Sequence, residues 1–578
     1  MKDGRIPQDQ SDVPNDRLGP EHRRNALSRL STEQVDVLVV GGGITGIGCA
    51  LDAVTRGLSV AVVEQRDLAS GTSSRSSKLI HGGLRYLAQF EFALVREALT
   101  ERGLLLSQLA PHLVRPVDFL YPLTKFWQRL YVGIGVRLYD LMAGRRDNPL
   151  PRHRHLHRKE VHRRAPALAP HAYRGAIVYS DACVDDARYV ISAARTAAGR
   201  GALVLTSAKV TGIVRTKDRV SGADVKCLET GQEFKILCGT VVNATGVWSD
   251  DIEEYAGEHG SRVRASKGIH LLVPRNRIEL DTGLILRTNE SVLFVIPWDQ
   301  HWIVGTTDTD WNLDRAHPAA SQKDISYLLS TLNKVLSTPL SPSDIVGVYA
   351  GLRPLLAGES EKTSKLSREH AVSISTPGLV SISGGKYTTY RVMAADTIDA
   401  VGADQGLNLP ASSTSSVPLI GADRYDEVRS EAKKISEDNG ISLEVVNHLI
   451  SRHGDRIGEI LELISLDPQL AKPLHSACLY LCAEVVHAVR NEAALHLEDV
   501  LTRRTRLSIE SQDRGTESAR QVAELMAPEL GWNSATIDNE VDHYMRRVAS
   551  ERESNNQLDD QAADATRLGA RDVRRGVS

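Results

Sequence analysis

The sequence predicts an α/β chain with a parallel βαβ unit near the amino end, a mainly antiparallel sheet interleaved with it, and a C-terminal helical domain. Three observations carry that expectation. Residues 35–65 read VDVLVVGGGITGIGCALDAVTRGLSVAVVEQ, a buried apolar run, three spaced glycines, a helical stretch and a second β-branched run. Residues 263–273, 292–297 and 302–305 are short strand-like runs with turn residues between them, and residues 419–548 show helical spacing throughout.

The first unit reads as strand, turn, helix, strand, the Rossmann-type βαβ arrangement. Gly41, Gly43 and Gly46 permit the tight turn, the approach of a pyrophosphate to backbone N–H groups, and close packing of helix on strand. Glu64 ends the second strand, where a carboxylate accepts hydrogen bonds from a ribose. A glycine triplet alone is weak; the strands, helix and acid in register make dinucleotide binding the expectation.

Composition sets the class. The 578 residues, 41% hydrophobic and 25% charged, are those of a soluble globular protein of several domains, and the net charge of −3 gives no reason to expect nucleic acid. The six cysteines are scattered. Cys478 and Cys482, four apart on an expected helix, lack the second pair a metal site needs, so they read as small buried hydrophobes and no metal is expected. Residues 1–34 are polar, with no secretory h-region, and read as a disordered leader; residues 549–578 read as a disordered tail. No apolar run reaches the length of a membrane span, so an intracellular location is expected.

Between the nucleotide unit and the helical domain, residues 35–403 divide into a nucleotide part and a substrate part of about residues 111–180 and 262–375. Residues 68–87, LASGTSSRSSKLIHGGLRYL, are too rich in Ser, Thr and Gly for a core element and suit a loop over phosphate or ring edges. Residues 90–109 read as an amphipathic helix. In residues 125–141, KFWQRLYVGIGVRLYDL, the side chains Phe126, Trp127, Leu130, Tyr131, Ile134, Leu138 and Leu141 fall in a stripe roughly 140° wide. Residues 145–164 follow with eight Lys/Arg and four His against Asp147 and Glu160. That pairing suits a helix lying on an anionic membrane surface; a core helix followed by a basic loop is the other reading, favoured by Val132 and Val136 outside the stripe. Residues 240–246 and 379–391 each read as a strand ending in small residues, the second leading into a helix start. Residues 404–418 read as a linker.

With GGGITG (41–46), TSSRSSKLIHGGLRYL (72–87), VNATG (242–246), GLRPL (351–355), SGGKYTTYR (383–391) and LTRRTRL (501–507) in this order, the chain resembles the FAD-dependent, quinone-linked glycerol-3-phosphate dehydrogenases, flavoproteins of the D-amino-acid oxidase class. The resemblance runs from about residue 35 to 396 and more loosely through the helical domain. It implies FAD as cofactor, an FAD-binding domain with an antiparallel substrate (cap) domain, oxidation of glycerol 3-phosphate to dihydroxyacetone phosphate, a quinone acceptor, and peripheral attachment to the cytoplasmic face of the membrane; a homodimer is an admissible assembly. It places Gly41, Gly43, Gly46 and Glu64 on the ADP half of FAD, Thr72, Ser73, Ser74 and Ser77 along the pyrophosphate and flavin, and Gly384, Gly385 and Thr388 by the isoalloxazine. The pocket it implies holds His81, Arg85, Tyr86, His270, Arg353 and Lys386.

The chemistry of those residue types agrees. Arg85, Arg353 and Lys386 suit a phosphate monoester, to which Tyr86 donates a hydrogen bond. A histidine, His81 or His270, suits the base that takes the hydroxyl proton, with Arg353 polarising the nascent carbonyl. Two other readings stay open at this level, an oxidase of the same fold that delivers electrons to oxygen, and a non-catalytic flavin-binding scaffold.

Overall fold

The computed structural model describes residues 16–144, 149–258, 263–288, 292–357, 369–475 and 478–574. Two large sheets meet along the amino half of the chain, and a helical layer covers one end.

In the first sheet the strands run in the order His370–Thr376, Leu379–Gly384, Glu233–Asn243, Val35–Val40, Val60–Val63 and Leu203–Leu205. Along this path all neighbours are parallel except the first pair, and strands Arg219–Cys227 and Ala208–Thr216 extend Glu233–Asn243 in antiparallel pairing. The parallel strands are apolar on both faces because both are covered, one by helices such as Ile44–Thr55 and Asp186–Ala198, the other by antiparallel strands Ala208–Thr216 and Arg219–Cys227 with helices Pro20–Leu30 and Ser249–Tyr255. Helix Ile44–Thr55 follows the first strand as predicted. Its Gly46 lies against the turn, where an added Cβ would stand 2.0 Å from the Gly41 carbonyl oxygen, and at Gly48 a Cβ would meet the Tyr390 ring at 2.8 Å. Helix Tyr390–Gln405 therefore packs directly on it.

The second sheet runs Thr309–Asp310, Val263–Pro274, His301–Gly305, Val292–Trp298, Gly283–Arg287, Val114–Leu123, Gly175–Val184 and Leu79–Ile80, with Gly347–Leu356 beside Val263–Pro274 and Arg154–His157 beside Gly175–Val184. It is antiparallel but for one parallel pair, Gly283–Arg287 with Val114–Leu123. The expected boundaries of the substrate part need two corrections. Strand His370–Thr376 belongs to the first sheet, because it pairs with Leu379–Gly384 across a short turn, and Leu79–Ile80 belongs to the second.

Both termini differ from expectation over their described residues. Within the leader, residues 16–34 include helix Pro20–Leu30, with Pro at its first turn and Ala26 and Leu30, four apart, buried on the first sheet. The tail is also folded: helix Ser534–Ser554 runs past residue 549, and helix Asp560–Leu568 packs its Ala563 against Trp311 and Leu352. Beyond it the Arg574 guanidinium donates to both carboxylate oxygens of Asp499 at 2.9 Å, and Asp572 lies 3.3 Å from Arg66. The composition of the tail is polar because its anchoring is electrostatic, through charges that are buried only in the fold.

The same device docks the helical domain. Arg504 donates to Asp67 at 2.7 Å, Arg506 to Asp186 at 2.7 Å, and Arg188 to Glu492 at 2.7 Å, all buried. The LTRRTRL segment is thus an interdomain clamp. Cys478 and Cys482 do not share a helix, which begins at Cys482; Gln521 donates to the Cys482 thiol instead. The expected helix of residues 90–109 becomes Phe92–Leu104 continued by a π-helical turn, Leu105–Leu109.

Helix Phe126–Met142 forms as expected, with its aromatic stripe facing outward. Phe126 is 79% exposed, Leu130 71% and Ile134 61%, while Val136 and Tyr139 on the opposite face are buried. Among the described residues no helix is long and apolar enough to cross a membrane.

Candidate active site

The carboxyl ends of the parallel strands open onto a cavity of about 690 Å³, roofed by the second sheet. That volume lies in the upper part of the range of small-molecule sites, roughly 300–1,000 Å³. At its floor Gly41 has φ +114°, and a Cβ there would stand 2.6 Å from the Ala244 carbonyl oxygen, so the turn between the two strand ends closes only with glycine. The Gly42 N–H donates to Glu64 Oε2 at 2.7 Å and the Arg66 N–H to Oε1 at 2.8 Å. Burial raises the Glu64 pKa against these two bonds. Its remaining lone pairs are the acceptors a ribose needs.

The Ser/Thr loop lies over this floor. Ser73 Oγ accepts from the Ile44 N–H at 3.0 Å, tying the loop to the first turn of helix Ile44–Thr55, and Thr72 Oγ1 donates to the Leu352 carbonyl at 2.7 Å. Thr388 stands behind His81, accepting from the His81 N–H at 3.3 Å. Gly384 and Gly385 both adopt positive φ, +75° and +82°, and turn the chain from strand Leu379–Gly384 toward Lys386 and the helix beyond. Asn243 shapes the adjoining turn: its Oδ1 accepts from Thr245 Oγ1 at 2.7 Å and its Nδ2 donates to the Ser249 carbonyl at 2.9 Å.

Over the far half of the cavity stand residues from four separate segments. His270, on strand Val263–Pro274, is buried with its ring stacked on Tyr349 at 4.7 Å and 13°. On the other side a Cβ at Gly305 would come within 2.3 Å of the imidazole, so glycine leaves the slot the ring occupies. His270 Nε2 and Ser77 Oγ are hydrogen-bonded at 2.8 Å, whereas the buried Nδ1 has no partner among the described residues. Burial, then the Arg353 and Lys78 charges, hold the imidazole well below its ordinary pKa, so it is neutral. Arg353 spreads its fork onto the Thr307 carbonyl at 3.2 Å and Thr306 Oγ1 at 3.0 Å, 3.6 Å from Asp308. Lys386 Nζ sits over the Tyr86 ring, 4.1 Å from its centre.

Of the residues expected from sequence, Gly41, Gly43, Glu64, Thr72, Ser73, Ser77, His81, Tyr86, His270, Arg353, Gly384, Gly385, Lys386 and Thr388 line this one cavity. Two do not. Gly46 acts one layer behind, in helix-on-turn packing, and Ser74 faces a smaller cavity on the other side of the loop, where its carbonyl accepts from Lys78 Nζ at 3.2 Å. The Arg85 side chain lies outside the described residues. Sequence reasoning missed Tyr349, the shelf beneath His270, and the buried pair Lys78–Asp186 at 2.7 Å beside it. Lys78 stood in the Ser/Thr motif, but nothing along the chain pairs it with an aspartate 108 residues away.

Elsewhere His453, His487 and Glu492 converge in the helical domain. Arg188 Nη1 donates to Glu492 and its Nη2 lies 3.2 Å from His453 Nδ1, so the protein's own guanidinium occupies the place of a cation.

Comparisons with known proteins bear on this geometry. The profile described as FAD dependent oxidoreductase matches residues 36–391, and that of the C-terminal domain of alpha-glycerophosphate oxidase matches residues 412–537. Glycerol-3-phosphate dehydrogenase 2 of Mycobacterium tuberculosis is 54% identical over 96% of this chain and 95% of its own length. The mitochondrial glycerol-3-phosphate dehydrogenase of Homo sapiens is 37% identical over 90% of this chain and 74% of its own. Among solved structures, a glycerol-3-phosphate dehydrogenase from Bacillus halodurans, complexed with FAD, aligns with a TM-score of 0.75 at 27% identity, covering 92% of this chain and 97% of that one.

Proposed function

This chain belongs to the FAD-dependent oxidoreductases and, within them, to the glycerol-3-phosphate dehydrogenases, and from that premise we propose a quinone-linked enzyme that works while resting on a membrane surface. It oxidises glycerol 3-phosphate with FAD. The observation that carries the fuller reading is the meeting, in one cavity, of a glycine-floored dinucleotide cradle with Arg353, Lys386 and a neutral His270 drawn from distant segments.

The residues fit the cofactor: Gly41 and Gly43 present bare backbone to the cavity, where a diphosphate can approach, and Glu64 stands at the ribose end. When bound, FAD supplies the hydride acceptor. Arg353 and Lys386 hold the phosphate of the substrate, one as a fork and one as a point charge. The secondary hydroxyl then gives its proton toward Ser77 Oγ, whose own proton passes to His270 Nε2. Burial is the main reason the ring is neutral and the Arg353 charge adds to it; the phosphate dianion offsets that second contribution, so substrate binding itself makes His270 a better base.

The outward stripe of helix Phe126–Met142 supports the membrane reading, since solvent-facing Phe, Trp, Leu and Ile beside Arg129, Arg152 and Arg154 match an interfacial helix on anionic lipid. A lipid-soluble quinone is the acceptor such placement suits.

An anaerobic spectrum of the FAD-loaded protein before and after glycerol 3-phosphate tests the reading. Bleaching of the flavin is expected, followed by rapid reoxidation with a quinone analogue. No bleaching overturns the substrate. The match of residues 412–537 to an oxidase C-terminal domain favours a second reading, transfer to oxygen; stoichiometric peroxide in the presence of quinone would decide for it.

A further inference from the structure

Behind the Ser/Thr loop, on the side away from the cofactor cavity, lies a separate pocket of about 80 Å³ between strand Gly347–Leu356, the π-helical turn Val500–Arg504 and the last two helices. Its charges do not balance. Arg503 and Arg506 are matched by aspartates outside the pocket, Asp499 at 2.7 Å and Asp186 at 2.7 Å. Arg547 shares Glu498 at 3.4 Å, and Arg567 shares Glu551, at 3.0 Å, with Arg514, at 2.8 Å. Arg75 meets no carboxylate among the described residues and donates only to the Ala316 carbonyl, at 3.1 Å. Three guanidinium groups of the lining, Arg75, Arg547 and Arg567, therefore face two carboxylates, Glu498 and Glu551, and Glu551 is also drawn on by Arg514 from outside the pocket.

A second, independent feature points into the same space. Ser508, 9% exposed, lines the pocket, and its Oγ is buried without a hydrogen-bond partner among the described residues. Leaving a buried hydroxyl unpaired is costly, and uncompensated buried cations cost more. The same surplus shows in the arginines: burial, then the Arg567 charge, push Arg75 down to about 9, and burial lowers Arg567 too.

We propose that this pocket is an oxyanion site, taking a tetrahedral dianion of the size of inorganic phosphate or sulfate. Guanidinium groups bind such oxygens bidentately and the Ser508 hydroxyl donates to one more, so a bound oxyanion offsets the cationic excess and satisfies the orphan donor together. Arg75 lines both this pocket and the cofactor cavity. An anion here therefore fastens the two terminal helices to the loop that carries Ser73 and Ser77, and its occupancy is felt at the cofactor.

Equilibrium dialysis of radiolabelled phosphate against the full-length, FAD-loaded enzyme tests this, with Arg567→Gln and Ser508→Ala beside the wild type. Phosphate also competes for the substrate site, so Lys386→Gln serves as the background in which that site is weakened. The expected result is saturable phosphate that survives Lys386→Gln, is weakened at least about tenfold by adding Arg567→Gln, and is weakened severalfold by Ser508→Ala, which changes no charge and leaves a folded, yellow protein. Phosphate binding that disappears with Lys386→Gln, or that is unchanged in Ser508→Ala, means the pocket holds only water and overturns the proposal.

Discussion

Ser77 Oγ and His270 Nε2, from segments 193 residues apart, meet at 2.8 Å inside a slot made by the Tyr349 ring and Gly305. The contact joins the loop expected to hold the cofactor to the strand expected to hold the base. Ser77→Ala should lower the rate of flavin reduction by glycerol 3-phosphate by roughly 10–100-fold, and His270→Gln by roughly 10²–10⁴-fold, with FAD still bound in both. Stopped-flow bleaching measures this; a His270→Gln enzyme as fast as wild type would move the base to His81.

Arg353 and Lys386 enter the cavity from opposite sheets, and each is expected to act on the substrate without holding the cofactor. Arg353→Ala and Lys386→Ala should each weaken glycerol 3-phosphate by about 10–1,000-fold, the loss of one charge-assisted contact to phosphate. Titrating flavin bleaching against substrate gives the number. Lys386→Arg should recover part of the loss, and unaltered half-saturation in either alanine variant removes that residue from the pocket.

Helix Phe126–Met142 carries its apolar side chains outward because its other face is already satisfied by Val136 and Tyr139 against the second sheet. Leu130→Asp with Ile134→Asp, or reversal of Arg152 and Arg154 to Glu, should reduce sedimentation with anionic vesicles by about tenfold while bleaching in detergent is retained. Arg145 and Arg146 lie outside the described residues. Equal binding by wild type and both variants would argue that the stripe meets protein and not lipid.

His496 links three parts of the fold, hydrogen-bonded to Glu540 at 2.9 Å and to Glu229 at 2.9 Å. Burial and Arg574 oppose its charge, but the two carboxylates outweigh them and push its pKa up to about 9. A raised histidine stabilises fully below its unfolded value of about 6.5, and that contribution is lost as pH climbs through about 9. His112 and His453 have the opposite sign: burial, then Arg188, hold each down to about 3, so they favour folding above about 6.5 and withdraw that support on acidification. Melting temperature should therefore fall on both sides of neutrality, and His496→Gln should flatten the alkaline limb alone. An unchanged limb would discount this contact.

What the sequence by itself determined is what depends on neighbours along the chain. The βαβ unit was legible because a buried strand, a glycine turn and a helix leave periodic and local marks in residues 35–65, and the aromatic stripe of residues 126–141 because a helix repeats its faces. The ordered motifs carried the cofactor and substrate class for the same reason. Only the tertiary structure decided which distant side chains meet. The Ser77–His270 bond, Tyr349 beneath it, the Lys78–Asp186 pair and the anchoring of Arg574 on Asp499 join residues that no period or spacing connects. The terminal segments were misjudged for a related cause: a stretch held by buried ion pairs has the composition of a solvated one, and its partners come into being only when the chain has folded around them.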